Sequence, residues 1–156
     1  MDAEQFRSLA LALPHVEETR QWGDNLVYWV GDKAIGGKMF ALLNLDDQGS
    51  ASVSSASTTR HALVLSLSVG PEHYHELLEQ EAIVPAPYMA RIHWIALEHW
   101  NALPLTELKL LIQNAHALTC KKLPTRVKTL LTLPPKEYRK AVTAKRLALS
   151  QKLRAK

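Results

Sequence analysis

The segment from Cys120 to Lys156 holds twelve of the chain's nineteen Lys and Arg residues but only one of its fifteen acids, Glu137. Subtraction leaves Met1 to Thr119 with seven cations and fourteen acids. The two parts therefore carry about +11 and −7, which sum to the net +4 of the 156 residues. Cations at this density suit one chemistry above others, the binding of phosphate with release of its counterions. The candidate contacts are Lys121, Lys122, Arg126, Lys128, Lys136, Arg139, Lys140, Lys145 and Arg146. Nothing nearby has zinc-finger spacing, an RNP-type aromatic motif or a heptad-plus-basic pattern. Weak sequence preference is the expectation.

Other residue types make poorer cases. His73 and His75 are two apart in a helix-forming stretch, so they point to different faces, and no metal site is expected. Cys120, the only cysteine, sits where a helix should end. Lys121 and Lys122 favour its thiolate, whereas a helix C-terminus opposes it. The serines lack a nucleophile elbow, and no glycine pattern for nucleotide phosphates is present. The acid pairs Glu17-Glu18 and Asp46-Asp47 read as a solvated helix exit and a loop. The expectation is a non-enzymatic protein with no cofactor.

The elements that must carry the cations are legible in outline. Asp2 and Gln5 have capping-box spacing ahead of the apolar stripe Phe6, Leu9, Ala10 and Leu13, and Pro14 ends this helix. Trp22 to Asn25 reads as a turn and Leu26 to Val30 as a strand. Gly31-Asp32 reads as a hairpin turn and Ile35 to Leu45 as the returning strand. Gly36-Gly37 suggests a bulge or a close backbone approach. Asp46 to Arg60 is expected to be a long loop, since seven of the ten residues from Ser50 to Thr59 are Ser or Thr. Ala62 to Val69 should be a strand, Glu72 to Glu81 a helix, and the segment with Pro85 and Pro87 extended. The alternation from Arg91 to Leu97 predicts another strand. A helix should start at Pro104 and bury Leu108, Leu111, Ile112, Ala115 and Leu118. The aromatic residues Trp22, Tyr28, Trp29, Tyr88, Trp94 and Trp100 are expected in core and sheet packing.

Hairpin-type connections without βαβ alternation predict an α+β fold in two layers, an antiparallel sheet with helices packed on one face. Residues 1–124 form this domain and residues 125–156 a basic C-terminal extension. Pro134-Pro135 predicts that the extension is helical from about residue 135. Tyr138, Val142, Leu149 and Leu153 share one side of that helix. Most cations lie opposite, with Lys145 and Lys152 nearer the stripe. Such a helix also suits an acidic protein partner or a second copy of this chain, which is the alternative reading. The acidic N-terminus does not resemble a signal peptide, no apolar run could span a bilayer, and a single cysteine fits a reducing compartment. The cytoplasm is the expected location.

Four stretches together resemble the MmcQ/YjbR family of small bacterial proteins. They are Leu11-Ala12-Leu13-Pro14-His15-Val16-Glu17-Glu18, Gly37-Lys38-Met39-Phe40-Ala41-Leu42, the run from Pro85 to Ile95, and Glu107-Leu108-Lys109-Leu110-Leu111-Ile112. The resemblance covers roughly residues 1–124. It implies a CyaY-like two-layer fold and a DNA-binding role without enzymatic activity, which puts DNA ahead of RNA as the partner. It adds Lys38 and Arg91 as family-matched cations to the candidate DNA contacts. The chain departs from the family at Ser68, where a Lys is common, and at Ala115-His116, where a Ser-Tyr pair is frequent. The Ser-rich loop and the residues after about Pro124 exceed the usual length. Loss of the strand lysine shifts the expected phosphate contact toward the C-terminal segment.

Overall fold

The computed structural model describes residues 1–45 and 63–154. Helix α1, Ala3–Ala12, begins at the capping box read from the sequence. The Asp2 carboxylate accepts from the Gln5 N–H at 2.8 Å, and the Gln5 side chain accepts from the Asp2 N–H at 3.1 Å. Strands β1 (Val16–Gln21), β2 (Asn25–Val30), β3 (Lys38–Asn44), β4 (Leu65–Ser68), β5 (Ile83–Pro85) and β6 (Trp94–Leu97) form one antiparallel sheet in the order β1-β2-β3-β4-β6-β5. Helices α2 (Pro71–Leu78) and α3 (Leu105–Lys122) complete the domain. The α+β expectation is met.

Period-two alternation divides the sheet's side chains between its faces. Phe6 and Ala10 of α1 and Leu108, Ile112 and Ala115 of α3 close over Tyr28, Phe40, Leu43, Leu67, Ile95 and Leu97, all essentially inaccessible. A smaller cluster of Ala86, Trp94 and Ala96 packs with Met39, Leu42 and Val84. The apolar periodicity of α3 located Leu108, Ile112 and Ala115 in this core, whereas Leu111 and Leu118, expected to be buried with them, are only half-buried.

Several local expectations are corrected. Arg91 to Leu97 is not one strand. Ala90–Ile92 is a 3-10 helix, His93 takes a left-handed φ of 61°, and only Trp94–Leu97 pairs. The alternation therefore has meaning only from Trp94 onward, and Ile92 is left 55% exposed. The β2–β3 connection is longer than the two-residue hairpin expected. It contains a 3-10 helix, Lys33–Ile35, and β3 begins at Lys38. Glu17 and Glu18 lie on β1 rather than at a helix exit. Trp22 and Tyr88 are exposed and carry left-handed φ values, so they are not core aromatics. The expected Ser-rich loop, Asp46 to Arg60, falls within residues 46–62 and so lies outside the described residues.

After Pro124 the chain forms two more helices, α4 (Thr125–Leu131) and α5 (Pro135–Arg154). The short α4 was not expected. Its Val127 is wholly buried, and Val142 of α5 is 7% exposed. Both belong to the main apolar cluster. The cation-rich segment thus contributes Leu123, Val127 and Val142 to the core, with Leu130, Leu131 and Tyr138 packed against it.

Candidate nucleic-acid interface

Three consecutive helices carry the cations, and each helix explains their outward placement. Lys121 and Lys122 form the last turn of α3, where exposed carbonyls favour positive charge. On α4 the buried Val127 forces its neighbours Arg126 and Lys128 outward. The Arg126 guanidinium lies over Gly36, with Nη2 3.5 Å from where a Cβ on that glycine would stand. On α5, burial of Tyr138 and Val142 leaves Lys136 and Lys140 on the far side, four apart and aligned. Lys128 is close enough to Cys120 to favour its thiolate. Burial of the sulfur has the larger effect and raises the thiol pKa. This is the opposite of an activated nucleophile.

Not all of the nominated cations are equivalent. Arg146 forms an ion pair and hydrogen bond with Asp32, and its side chain is 66% exposed against 8% for Asp32. Arg139 and Arg146 both act on Glu17 of β1. These two arginines therefore face the domain and its acids. Among the described residues, Lys121, Lys122, Arg126, Lys128, Lys136, Lys140 and Lys145 have no ion-pair partner. Lys38 and Arg91 are also exposed, and among the described residues neither has an ion-pair partner. Lys38 opens β3, and Arg91 lies in the 3-10 helix before β6. Ser68 is 5% exposed and stands opposite Trp94 in the sheet, so β4 offers no charge there.

Asp32 is the centre of the contact that holds α5. Its Oδ1 accepts from the Ala34 N–H at 2.8 Å, capping the 3-10 helix, while Oδ2 accepts from Arg146. Its own N–H donates to the Tyr138 hydroxyl at 3.0 Å. One residue thus joins turn, tyrosine and arginine across separations of 106 and 114 positions. Sequence reasoning detected the apolar stripe of α5 but missed this polar latch, because Asp32 reads as an ordinary turn residue. Replacing Tyr138 by Phe and Arg146 by Ala together should cost about 2 kcal/mol of α5 docking. Amide exchange in α5 should then accelerate by about 30-fold, with exchange in the β-sheet unchanged.

Adjacent glutamates on β1 respond oppositely to their surroundings. Burial raises the Glu17 pKa, Asp32 adds to the effect, and Arg146 and Arg139 only partly offset it. Burial also penalises ionised Glu18. The Arg7 guanidinium, at 3.1 and 3.0 Å, and the Tyr28 hydroxyl, at 2.6 Å, outweigh that penalty and lower its pKa. A lowered carboxylate pKa stabilises the fold above the ordinary value near 4.5 and is lost as pH falls through the folded value. A raised one imposes a penalty above its folded value that acid relieves. Glu18→Gln should therefore destabilise the protein by about 1–3 kcal/mol at neutral pH, and Glu17→Gln should stabilise it. Urea titrations should show the Glu17 difference disappearing as pH falls toward the ordinary value near 4.5, and the Glu18 difference fading only below it.

Two other features have no place in a catalytic reading. His116 is 7% exposed, and its Nε2 donates to the Pro14 carbonyl at 2.8 Å, which ties α3 to the end of α1. The Cys120 sulfur is 3.8 Å from both ring nitrogens of His116 and so is aligned with neither. Among the described residues, no group of three His, Cys, Asp or Glu side chains is placed to hold a metal ion. No described helix is long and apolar enough to cross a membrane.

A six-stranded antiparallel sheet with its helical layer, extended by two cation-bearing helices, defines a small α+β protein. Residues 11–118 match the YjbR family model, and the chain belongs to the YjbR family. Its structure is similar to that of a Deinococcus radiodurans protein with a DUF419 domain, at 28% identity and a TM-score of 0.66. That match covers 85% of this chain and 89% of the other. It is also similar to a Pseudomonas syringae protein solved by structural genomics, at 27% identity and a TM-score of 0.57, covering 76% and 99%. No curated protein matches the chain at a significant level. The family match ends at residue 118, before the first of the clustered cations.

Proposed function

We propose that this chain binds nucleic acid, DNA in preference to RNA, with little sequence preference and without catalysis. The observation that carries the reading is a set of exposed cations on successive helices, Lys121, Lys122, Arg126, Lys128, Lys136 and Lys140, that have no ion-pair partner among the described residues. They require no reorganisation to meet phosphates, and their fixed helical positions spare the ordering cost of a disordered basic tail. Arg146 serves mainly to hold α5 at Asp32, and Arg139 lies near enough to Glu17 to favour its ionised form. Lys145, Lys38 and Arg91 are secondary contacts.

The absence of base-reading motifs argues for contact with backbone phosphate, with DNA shape contributing at most a modest preference. A protein of this kind would act in the cytoplasm. The test is equilibrium binding of the full chain to two duplexes of about 30 base pairs with unrelated sequences. Comparable affinity for both is expected. Failure to shift either at about 50 mM salt would end the proposal.

A further inference from the structure

The distal half of α5 and the groove between α2 and α3 complement one another in polarity and charge, yet they do not meet within one chain. Every residue from Thr143 to Arg154 is exposed, with Leu149 at 48% and Leu153 at 77%. Helical spacing sets these two leucines in line with the docked Tyr138 and Val142, with Lys145 and Lys152 beside them. Up to Val142 the stripe has a partner, and beyond it there is none. Apart from the Arg146 bond to Asp32, this stretch of about 12 residues has no packed face, and such a helix is marginal in water.

The groove has the opposite character. It encloses about 360 Å³ between α2 and α3, with Leu77, Leu110 and Leu111 in its wall and Glu76 and Glu107 at its edges. Leu110 is 57% exposed. From Gly70 to Met89 the chain has the acids Glu72, Glu76, Glu79 and Glu81 and no Lys or Arg, whereas from Tyr138 to Lys156 it has no acid. Apolar positions edged by acids therefore face apolar positions edged by cations. In its own chain α5 packs on the Lys33–Ile35 turn and α4, and the exposure of Leu110, Leu149 and Leu153 shows that α5 does not fill its own groove.

We infer that the chain self-associates by seating the distal half of α5 from one copy in the α2–α3 groove of a second. Leu149 and Leu153 enter between α2 and α3, and Lys145 and Lys152 meet Glu76 and Glu107. Reciprocal exchange closes a two-fold dimer with two identical seats, whereas one-way exchange would build open chains. Lys136 and Lys140 stay outside this contact. Of the cations assigned to phosphate only the secondary contact Lys145 is shared, and the experiment is run without nucleic acid, so either reading can fail alone.

Sedimentation velocity of the full chain, free of nucleic acid, tests the inference. A concentration-dependent dimer is expected. Leu149→Glu with Leu153→Glu should weaken it by about 100-fold or more, and Leu110→Glu in the groove should weaken it independently. Lys145→Glu with Lys152→Glu should also dissociate it, and adding Glu76→Lys with Glu107→Lys should restore it. Every altered side chain is exposed, so circular dichroism should be unchanged and will expose any variant that fails to fold. A monomer at all concentrations, or a dimer indifferent to both leucine variants, would overturn the inference.

Discussion

Replacing Lys121, Lys122, Arg126, Lys128, Lys136 and Lys140 together by Gln should reduce duplex DNA affinity by about a thousandfold or more at about 0.1 M salt. Each phosphate contact releases close to one condensed counterion, which near that salt concentration favours binding by almost a factor of ten. Six such contacts dominate an interface that lacks base readout. The substitution takes the formal net charge from +4 to −2 (4 − 6), so long-range attraction is lost along with the contacts. Stability should be nearly unaffected, because all six side chains are exposed, none has an ion-pair partner among the described residues, and glutamine sustains a helix. Fluorescence anisotropy with a labelled duplex measures the loss. As a comparison, Arg139→Gln with Arg146→Gln should change affinity far less while loosening α5, since those arginines face Glu17 and Asp32.

Gly37→Ala is expected to be the most damaging single substitution, costing about 3–4 kcal/mol and lowering Tm by roughly 10 °C. A Cβ at this position would lie 2.0 Å from the Gly31 carbonyl oxygen and 2.7 Å from that of Val30. Both obstacles are backbone, so no side chain can rotate away. Relief requires opening the β2–β3 connection, which breaks the 2.9 Å bond from the Gly37 N–H to the Asp32 carbonyl. Asp32 is also the anchor of α5, and Val127 of α4 lies over Gly31 and Gly36. Damage at this turn should therefore reach the basic helices. Thermal unfolding followed by circular dichroism gives the cost, and amide exchange should show α4 and α5 loosening first.

The close approach at Gly37 was legible because paired glycines at the start of a strand have few other uses. The α1 capping box, the stripe of α3 and the helix after Pro134 were legible for similar reasons, since each has a local chemical signature. β1 was not. Val-Glu-Glu-Thr-Arg-Gln is an edge strand that carries Glu17 and Glu18 toward partners on other elements, so its composition resembles a solvated loop. α4 is hidden because its seven residues are too few to show an apolar stripe, and only Pro124 before it hints at a helix start.

Among the candidate contacts, sequence identified the cations but could not separate Lys136 and Lys140 from Arg139 and Arg146. That distinction depends on Asp32, more than a hundred residues earlier, and on which side of α5 meets the turn. The same docking explains why a chain cut after Leu123 would be a poor test of DNA binding. It would remove Val127 and Val142 from the core along with the charge, and loss of fold would resemble loss of contact.

The salt dependence of binding to a duplex tests the nucleic-acid reading most directly. With six phosphate contacts, log affinity plotted against log salt should fall with a slope of about −5 for the full chain. Only a shallow residual slope, from Lys145, Lys38 and Arg91, should remain for the six-glutamine variant. A flat dependence for the unaltered chain, or the same slope in both proteins, would contradict the assignment of these cations to phosphate.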